Sequence, residues 1–154
     1  LLFHAPGLSP ADAARLAAER MELTARADVD APAAVLLDEA TADVARAWRA
    51  LAAEGLARPP GPDLQPESPI AAPGPAGTLI VGYADLVAIT DNRVDVLDFK
   101  TDPPPAGPLE VSYPDYARQV QLYGEILRAA GVLGGRQLRC GLLFTGDGEI
   151  RWVT

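Results

Sequence analysis

Apolar residues recur at Val44, Trp48 and Leu51, at i, i+4 and i+7, which is the spacing of one face of a helix. The pattern predicts a helix that begins near Asp38 and stops at Gly55, since glycine suits the left-handed conformation in which helices end. Trp48 is expected in the core. An earlier helix is predicted over 9–26, where Ser9 is placed to cap it, Pro10 opens its first turn and Asp12 makes that turn acidic. A third apolar stripe, Tyr116, Val120, Tyr123 and Leu127, predicts a helix over 114–130 ended by Gly131.

Elsewhere the period shortens. The runs "TLIVGYADLVAI" and "RVDVLDFKT" read as strands joined by Asp91-Asn92, a two-residue hairpin turn. "QLRCGLLFT" and "EIRWV" flank Gly146-Asp147-Gly148 and predict a second hairpin. Between Gly55 and Gly77 stand Pro59, Pro60, Pro62, Pro66, Pro69, Pro73 and Pro75, so this stretch is expected to be a long loop with one short edge strand near 67–71. A proline loop over 103–108 leads into the third helix. The order helix, helix, strand, strand, strand, helix, strand, strand predicts an α/β fold, a mixed central sheet flanked by helices, with no internal repeat. One domain is expected over 1–154, comprising a helical part over 1–55, the proline-rich loop over 56–77, and the sheet with its helix over 78–154.

Composition narrows the class. Apolar residues make up 49% of the 154 residues and the formal net charge is -8, as in globular rather than disordered chains. The longest apolar run is too short for a bilayer and contains Asp85. A lone Cys140 excludes an internal disulfide framework, a zinc cluster of cysteines and a four-cysteine iron–sulfur site within this chain. A cytoplasmic location and no membrane partner are expected. The start "LLFHAPGLSP" lacks methionine and the features of a signal peptide, so a piece of a longer polypeptide is expected. The acidic balance argues against simple non-specific nucleic-acid binding, which needs clustered Lys and Arg.

Lys100 is the only lysine, every other basic residue being arginine. If Asp91 and Asn92 form the turn, Thr90 pairs with Arg93 and Asp85 falls opposite Asp98. Alternation then puts Asp85, Asp98 and Lys100 on one face. Directly opposed carboxylates have Cβ atoms roughly 4.5–5.5 Å apart and repel. A lysine partly compensates them, and a divalent cation does so better, since Mg²⁺ favours one or two carboxylates with waters and phosphate oxygens. The apolar neighbours Val81, Val87, Val94 and Val96 are expected to set this trio in the sheet interior or at its end. Lysine, a compact point charge on a flexible stem, suits contact with water and phosphate together.

"GYADLV", "VLDFKT" and "QVQLY" together resemble the motifs of RecB-type nucleases of the PD-(D/E)xK superfamily. The resemblance is closest to the C-terminal nuclease domain of AddA-type helicase-nucleases, which process broken DNA ends. It covers the chain from about Glu67 to the C-terminus, and "GLLFTGDGEIRWV" is similar to that family's ending. The resemblance implies a restriction-endonuclease-like core and a Mg²⁺-dependent (or Mn²⁺-dependent) deoxyribonuclease of exonuclease type, acting on DNA ends, single-stranded ones foremost, in double-strand-break repair and recombination. It further implies Asp85 and Asp98 as metal ligands with Glu67, in "ESPI", as a further acidic candidate. Lys100 would orient or activate the attacking water, and Gln119 and Tyr123 would form a helix pair beside the site. Helicase domains upstream in the same polypeptide and a second nuclease or helicase subunit would be partners; no G-x-x-x-x-G-K-[ST] phosphate loop occurs in this chain. The family's early Gly-x-x-x-His, whose His also binds metal, has no match. The sole histidine, His4, lacks the preceding glycine, so this ligand is expected upstream of Leu1.

Plainer readings stand beside these. Asp85 and Asp98 can be hairpin carboxylates held by backbone N–H groups or arginines, and Lys100 a strand-end ion pair to Asp98 or Asp102. Gln119 and Tyr123 can belong to an ordinary amphipathic helix. Asp95, Asp102, Asp115 and Glu125 are expected to be solvated or capping. At the level of the whole chain, the alternative to a nuclease is a non-catalytic module that keeps the nuclease fold to bind DNA or to dock on helicase domains.

Overall fold

In a computed structural model of the chain, residues 31–56 and 63–153 are described, with Ser9, Asp12 and Arg15 in addition. They form α1 (Ala31–Ala53), β1 (Asp63–Pro73), β2 (Leu79–Ile89), β3 (Arg93–Lys100), α2 (Leu109–Ser112), α3 (Pro114–Ala129), β4 (Gln137–Phe144) and β5 (Glu149–Val153). All five strands join one sheet in the order β1-β2-β3-β4-β5. Neighbours run antiparallel except β3 and β4, which are parallel and connected through α3. The mixed α/β sheet flanked by helices is therefore observed.

Each face of the sheet buries one layer. On one, α3 sends Ala117, Val120, Tyr123, Ile126 and Leu127 onto Val87, Val94, Val96, Leu142 and Phe144. On the other, Ala47 and Leu51 of α1 pack with Leu56 on Leu86, Ala88, Leu97 and Leu143, with Trp48 partly buried at the margin. Leu97 and Leu143 on one face, and Val96 and Leu142 on the other, show why these strands read as nearly continuous apolar runs: both faces are covered.

Several boundaries differ from the sequence-based expectation. α1 is already helical at Ala31, ahead of the start expected near Asp38, and its alanines and leucines favour helix. It ends as expected, with Gly55 at φ 75°. The edge strand expected near 67–71 is present but longer: β1 spans 11 residues at the sheet's edge, where prolines are tolerated. The short α2 was not anticipated. Ser9 does cap, its Oγ accepting the Asp12 N–H at 3.1 Å, while the rest of the helix expected over 9–26 lies outside the described residues, as does His4.

The two-residue turn holds. β2 and β3 pair as Leu86↔Leu97, Val87↔Val96, Ala88↔Asp95 and Ile89↔Val94, and the Thr90 N–H closes the turn on the Arg93 carbonyl at 2.9 Å. The same register carried one rung further sets Asp85 against Asp98. No helix among the described residues is long and apolar enough to cross a membrane.

Candidate active site

At the Asp85 end of their ladder, the side chains of β2 and β3 take over from backbone pairing: Asp85 Oδ2 accepts the Phe99 N–H at 2.6 Å. On the other side of β2, β1 keeps one register through Pro66↔Leu86 and Ser68↔Ala84, so that Glu67 stands opposite Asp85. Glu67 has φ 48°, the left-handed region that a non-glycine residue enters at a cost.

The faces of both strands exchange at this rung. Leu64 of β1 and Leu86 and Ala88 of β2 pack on the α1 side, whereas Ile70, Ala72, Ile80 and Ala84, although also even-numbered, pack on the α3 side. Strict alternation would keep them together. Val81 is consequently 57% exposed and does not flank the carboxylates as its position in the sequence suggested.

Asp98 is buried. Its Oδ2 lies 2.5 Å from Lys100 Nζ, yet it has no hydrogen-bond donor with acceptable geometry. The contact is an ion pair by distance without hydrogen-bond alignment, and a buried carboxylate held in this way gains from a further cation or donor. Lys100 Nζ also approaches Gln119 Oε1 at 3.4 Å, and Gln119 Nε2 donates to Tyr123 Oη at 2.8 Å. Gln119 and Tyr123 stand one helical turn apart on α3, so the helix presents both toward the strand end.

Burial pushes the Asp85 carboxyl above its ordinary range; the Phe99 N–H opposes this, Asp98 adds to it, Lys100 opposes it and Glu67 adds to it. Such an environment rewards a bound cation. Among the described residues no group of three or more His, Cys, Asp and Glu side chains is placed to hold a metal ion; Asp85 and Asp98 are two neighbouring carboxylates on adjacent strands, with Glu67 on the strand beyond. That number of protein carboxylates fits Mg²⁺, which keeps several waters.

The structure thus brings Asp85, Asp98, Lys100, Gln119 and Tyr123 to one end of the sheet, with Glu67 beside them. It adds residues that sequence reading passed over. Tyr116, expected only in the core stripe, carries Lys100 Nζ 3.9 Å from its ring centroid. Asp102, expected to be solvated, accepts the Tyr116 hydroxyl at 3.0 Å. The helical spacing of Tyr116, Gln119 and Tyr123 was the available signal. Asp95 also departs from expectation: it is fully buried on the α1 face between Arg93 and Arg139. Asp115 and Glu125 are exposed, as expected.

The family model of the PD-(D/E)XK nuclease superfamily matches residues 2–151, nearly the whole chain. Comparison with curated proteins gives no match.

Proposed function

The chain belongs to the PD-(D/E)XK nuclease superfamily, and from that premise we propose that it is a Mg²⁺- or Mn²⁺-dependent DNA nuclease domain that hydrolyses phosphodiester bonds at DNA ends. The observation that carries this reading is the buried Asp98 carboxylate, whose Oδ2 has the Lys100 ammonium 2.5 Å away but no well-aligned hydrogen bond, on a strand end that Asp85 shares. Asp85 and Asp98 would hold the metal, with Glu67, opposite Asp85 on β1, adding negative charge beside it. A divalent cation bound there would polarise the scissile phosphate and acidify a coordinated water.

The remaining work falls to the chain's own side chains. Lys100 brings its ammonium to the strand end, where it stabilises negative charge that develops on the phosphate oxygens. Gln119 restrains the ammonium from the helix side, and Tyr123 fixes the amide of Gln119. The net charge of -8 leaves DNA feeding to surfaces beyond this domain. Helicase domains of the same polypeptide, acting in double-strand-break repair in the manner of AddA-type helicase-nucleases, would supply those surfaces, with a second nuclease or helicase subunit as a further partner. The chain would act as one domain in the cytoplasm.

A second reading, a non-catalytic module of nuclease fold, is favoured by one observation: Lys100 already stands 2.5 Å from Asp98 Oδ2 and supplies it with a positive charge of its own. Calorimetric titration with Mg²⁺ and Mn²⁺, together with cleavage of single-stranded DNA, separates the two. The nuclease reading expects binding that disappears in Asp98→Ala and cleavage that disappears in Lys100→Ala with the fold intact. Cleavage that persists in Lys100→Ala, or metal binding indifferent to Asp98, would remove it.

A further inference from the structure

We propose that Tyr116 is a positioning residue for Lys100, its ring face holding the ammonium at the strand end while Asp102 fixes the ring. The consequence for cleavage rests on the nuclease reading above; the contact itself does not.

Three groups surround Lys100 Nζ: Asp98 Oδ2 at 2.5 Å, Gln119 Oε1 at 3.4 Å and the Tyr116 ring, with its centroid at 3.9 Å. That last distance is well inside the range over which an aromatic quadrupole attracts a cation. The three contacts differ in kind. Asp98 cancels part of the lysine's charge, and Gln119 takes one of its N–H donors. An aromatic face does neither: it attracts the ammonium while leaving its field and its remaining donors for an incoming phosphate oxygen. A lysine stem has four rotatable bonds, and a charge that must meet a phosphate in one geometry gains from such a restraint.

The ring is itself held. Tyr116 Oη donates to Asp102 Oδ2 at 3.0 Å, and Tyr113 stacks on the ring with centroids 5.3 Å apart and planes 10° from parallel. Tyr113 Oη in turn donates to the Pro103 carbonyl at 2.7 Å. Asp102 and Pro103 directly follow Thr101 and Lys100 in the chain. The segment leaving β3 is therefore fastened at two successive residues to the N-terminal part of α3, and a third hydrogen bond, from the Thr145 N–H to the Lys100 carbonyl at 2.9 Å, fixes the lysine backbone from β4's end. Together these bonds set where the Lys100 side chain begins, and the ring sets where it ends.

The test uses the fact that Lys100 is the only lysine: in the full chain labelled with ¹³C- and ¹⁵N-lysine, every side-chain lysine signal belongs to it. The expected result is an upfield ring-current displacement of the Lys100 ε-methylene protons in the wild type, reduced in Tyr116→Phe, which keeps the ring but not its bond to Asp102, and lost in Tyr116→Leu. With metal and single-stranded DNA, kcat should fall about tenfold in Tyr116→Leu with KM changed less than about twofold, and Phe should restore most of it. If Tyr116→Leu fails to fold, Asp102→Ala, which removes the acceptor of the Tyr116 hydroxyl, replaces it, with partial loss of the same displacement. Wild-type Lys100 protons at their solvent-exposed position would overturn the proposal, as would Tyr116→Leu or Asp102→Ala leaving both displacement and kcat unchanged. A displaced signal in a wild-type chain that neither binds metal nor cleaves DNA would refute the nuclease reading and leave the contact standing.

Discussion

The ring of Tyr123 fills the space that a side chain at residue 82 would take: a Cβ built on Gly82 falls 2.8 Å from Tyr123 Cε1 and 3.5 Å from its Oη. The backbone at Gly82 is outside the left-handed region, so glycine is needed here for room and not for conformation. Since Tyr123 Oη accepts the hydrogen bond that orients Gln119, Gly82→Ala should reach Lys100 through two intermediaries. Overpacking at such a contact costs about 1–3 kcal/mol. The expected outcome is a modest loss of thermal stability with a cleavage rate lowered about tenfold among folded molecules. Equal cleavage rates for the variant and wild type at a temperature where both are folded would show that Gly82 serves packing alone.

Glu67 is held at φ 48° on an exposed part of the edge strand, opposite Asp85. A non-glycine residue pays on the order of 1 kcal/mol for that conformation, and its negative charge raises the neighbouring Asp85 carboxyl further. Nothing in this arrangement favours the fold. Glu67→Gly should therefore leave the denaturation midpoint unchanged or slightly raised, since the relief of strain offsets the larger entropy of the unfolded glycine. Metal affinity measured calorimetrically should fall in the same variant. A clear loss of stability with unaltered metal affinity would assign Glu67 to structure instead.

These residues also mark where the sequence was legible. Asp91 and Asn92 defined a two-residue turn, and a turn of fixed length sets the register of both strands; Asp85 against Asp98 followed from counting. The helix carrying Gln119 and Tyr123 was equally readable from its stripe. β1 was legible only in part, as a short edge strand near 67–71, because the prolines on either side mimic a loop. The exchange of faces at Glu67 and Asp85 left no signal, since a positive φ at a glutamate has no signature in sequence. Asp95 looked solvated because "VDVLDF" alternates, but a strand cannot show whether its polar-looking face is covered, and α1 covers this one.

Asp95 lies at the centre of an arginine cluster. Arg139, its partner in the parallel register, binds it through two nitrogens, Nε to Oδ1 at 2.8 Å and Nη2 to Oδ2 at 2.9 Å, and Arg93 Nε reaches Oδ2 at 2.8 Å. Both arginines continue to Glu54 at the end of α1, Arg93 to its carbonyl and Arg139 to its carboxylate, each at 2.9 Å. Arg139 further lies over Trp152, 3.8 Å from the ring centroid. The cluster joins α1 to the sheet on the face away from Lys100. Asp95→Ala leaves two guanidinium groups facing each other without their acid, but each is partly open to water, so the loss should be about 2–3 kcal/mol rather than the full cost of a buried orphan charge. Urea denaturation measures it. A change below about 0.5 kcal/mol would mean that Glu54 and solvent replace Asp95 completely.

Cys140, buried where α3 crosses β4, gives a dependence on pH with a fixed sign. Burial pushes its thiol from 9.0 up to about 11, and the side chain fits so closely that a Cβ on Gly124 would lie 2.5 Å from its sulfur. The folded state therefore keeps the proton over a range in which the unfolded chain releases it. By linkage, the stability this provides is complete below pH 9.0 and declines as pH rises toward about 11. A two-unit difference corresponds to about 2–3 kcal/mol at most. The expected observation is a denaturation midpoint that falls with pH above 9.0 in wild type and falls less in Cys140→Ala, once the cavity cost common to all pH values is subtracted. In parallel, a thiol-specific aromatic disulfide should react with the native chain at pH 8 only as fast as it unfolds, because a protonated, enclosed sulfur is a poor nucleophile. Rapid stoichiometric reaction under native conditions would show that the α3–β4 contact opens locally, and the pH dependence would then vanish with it.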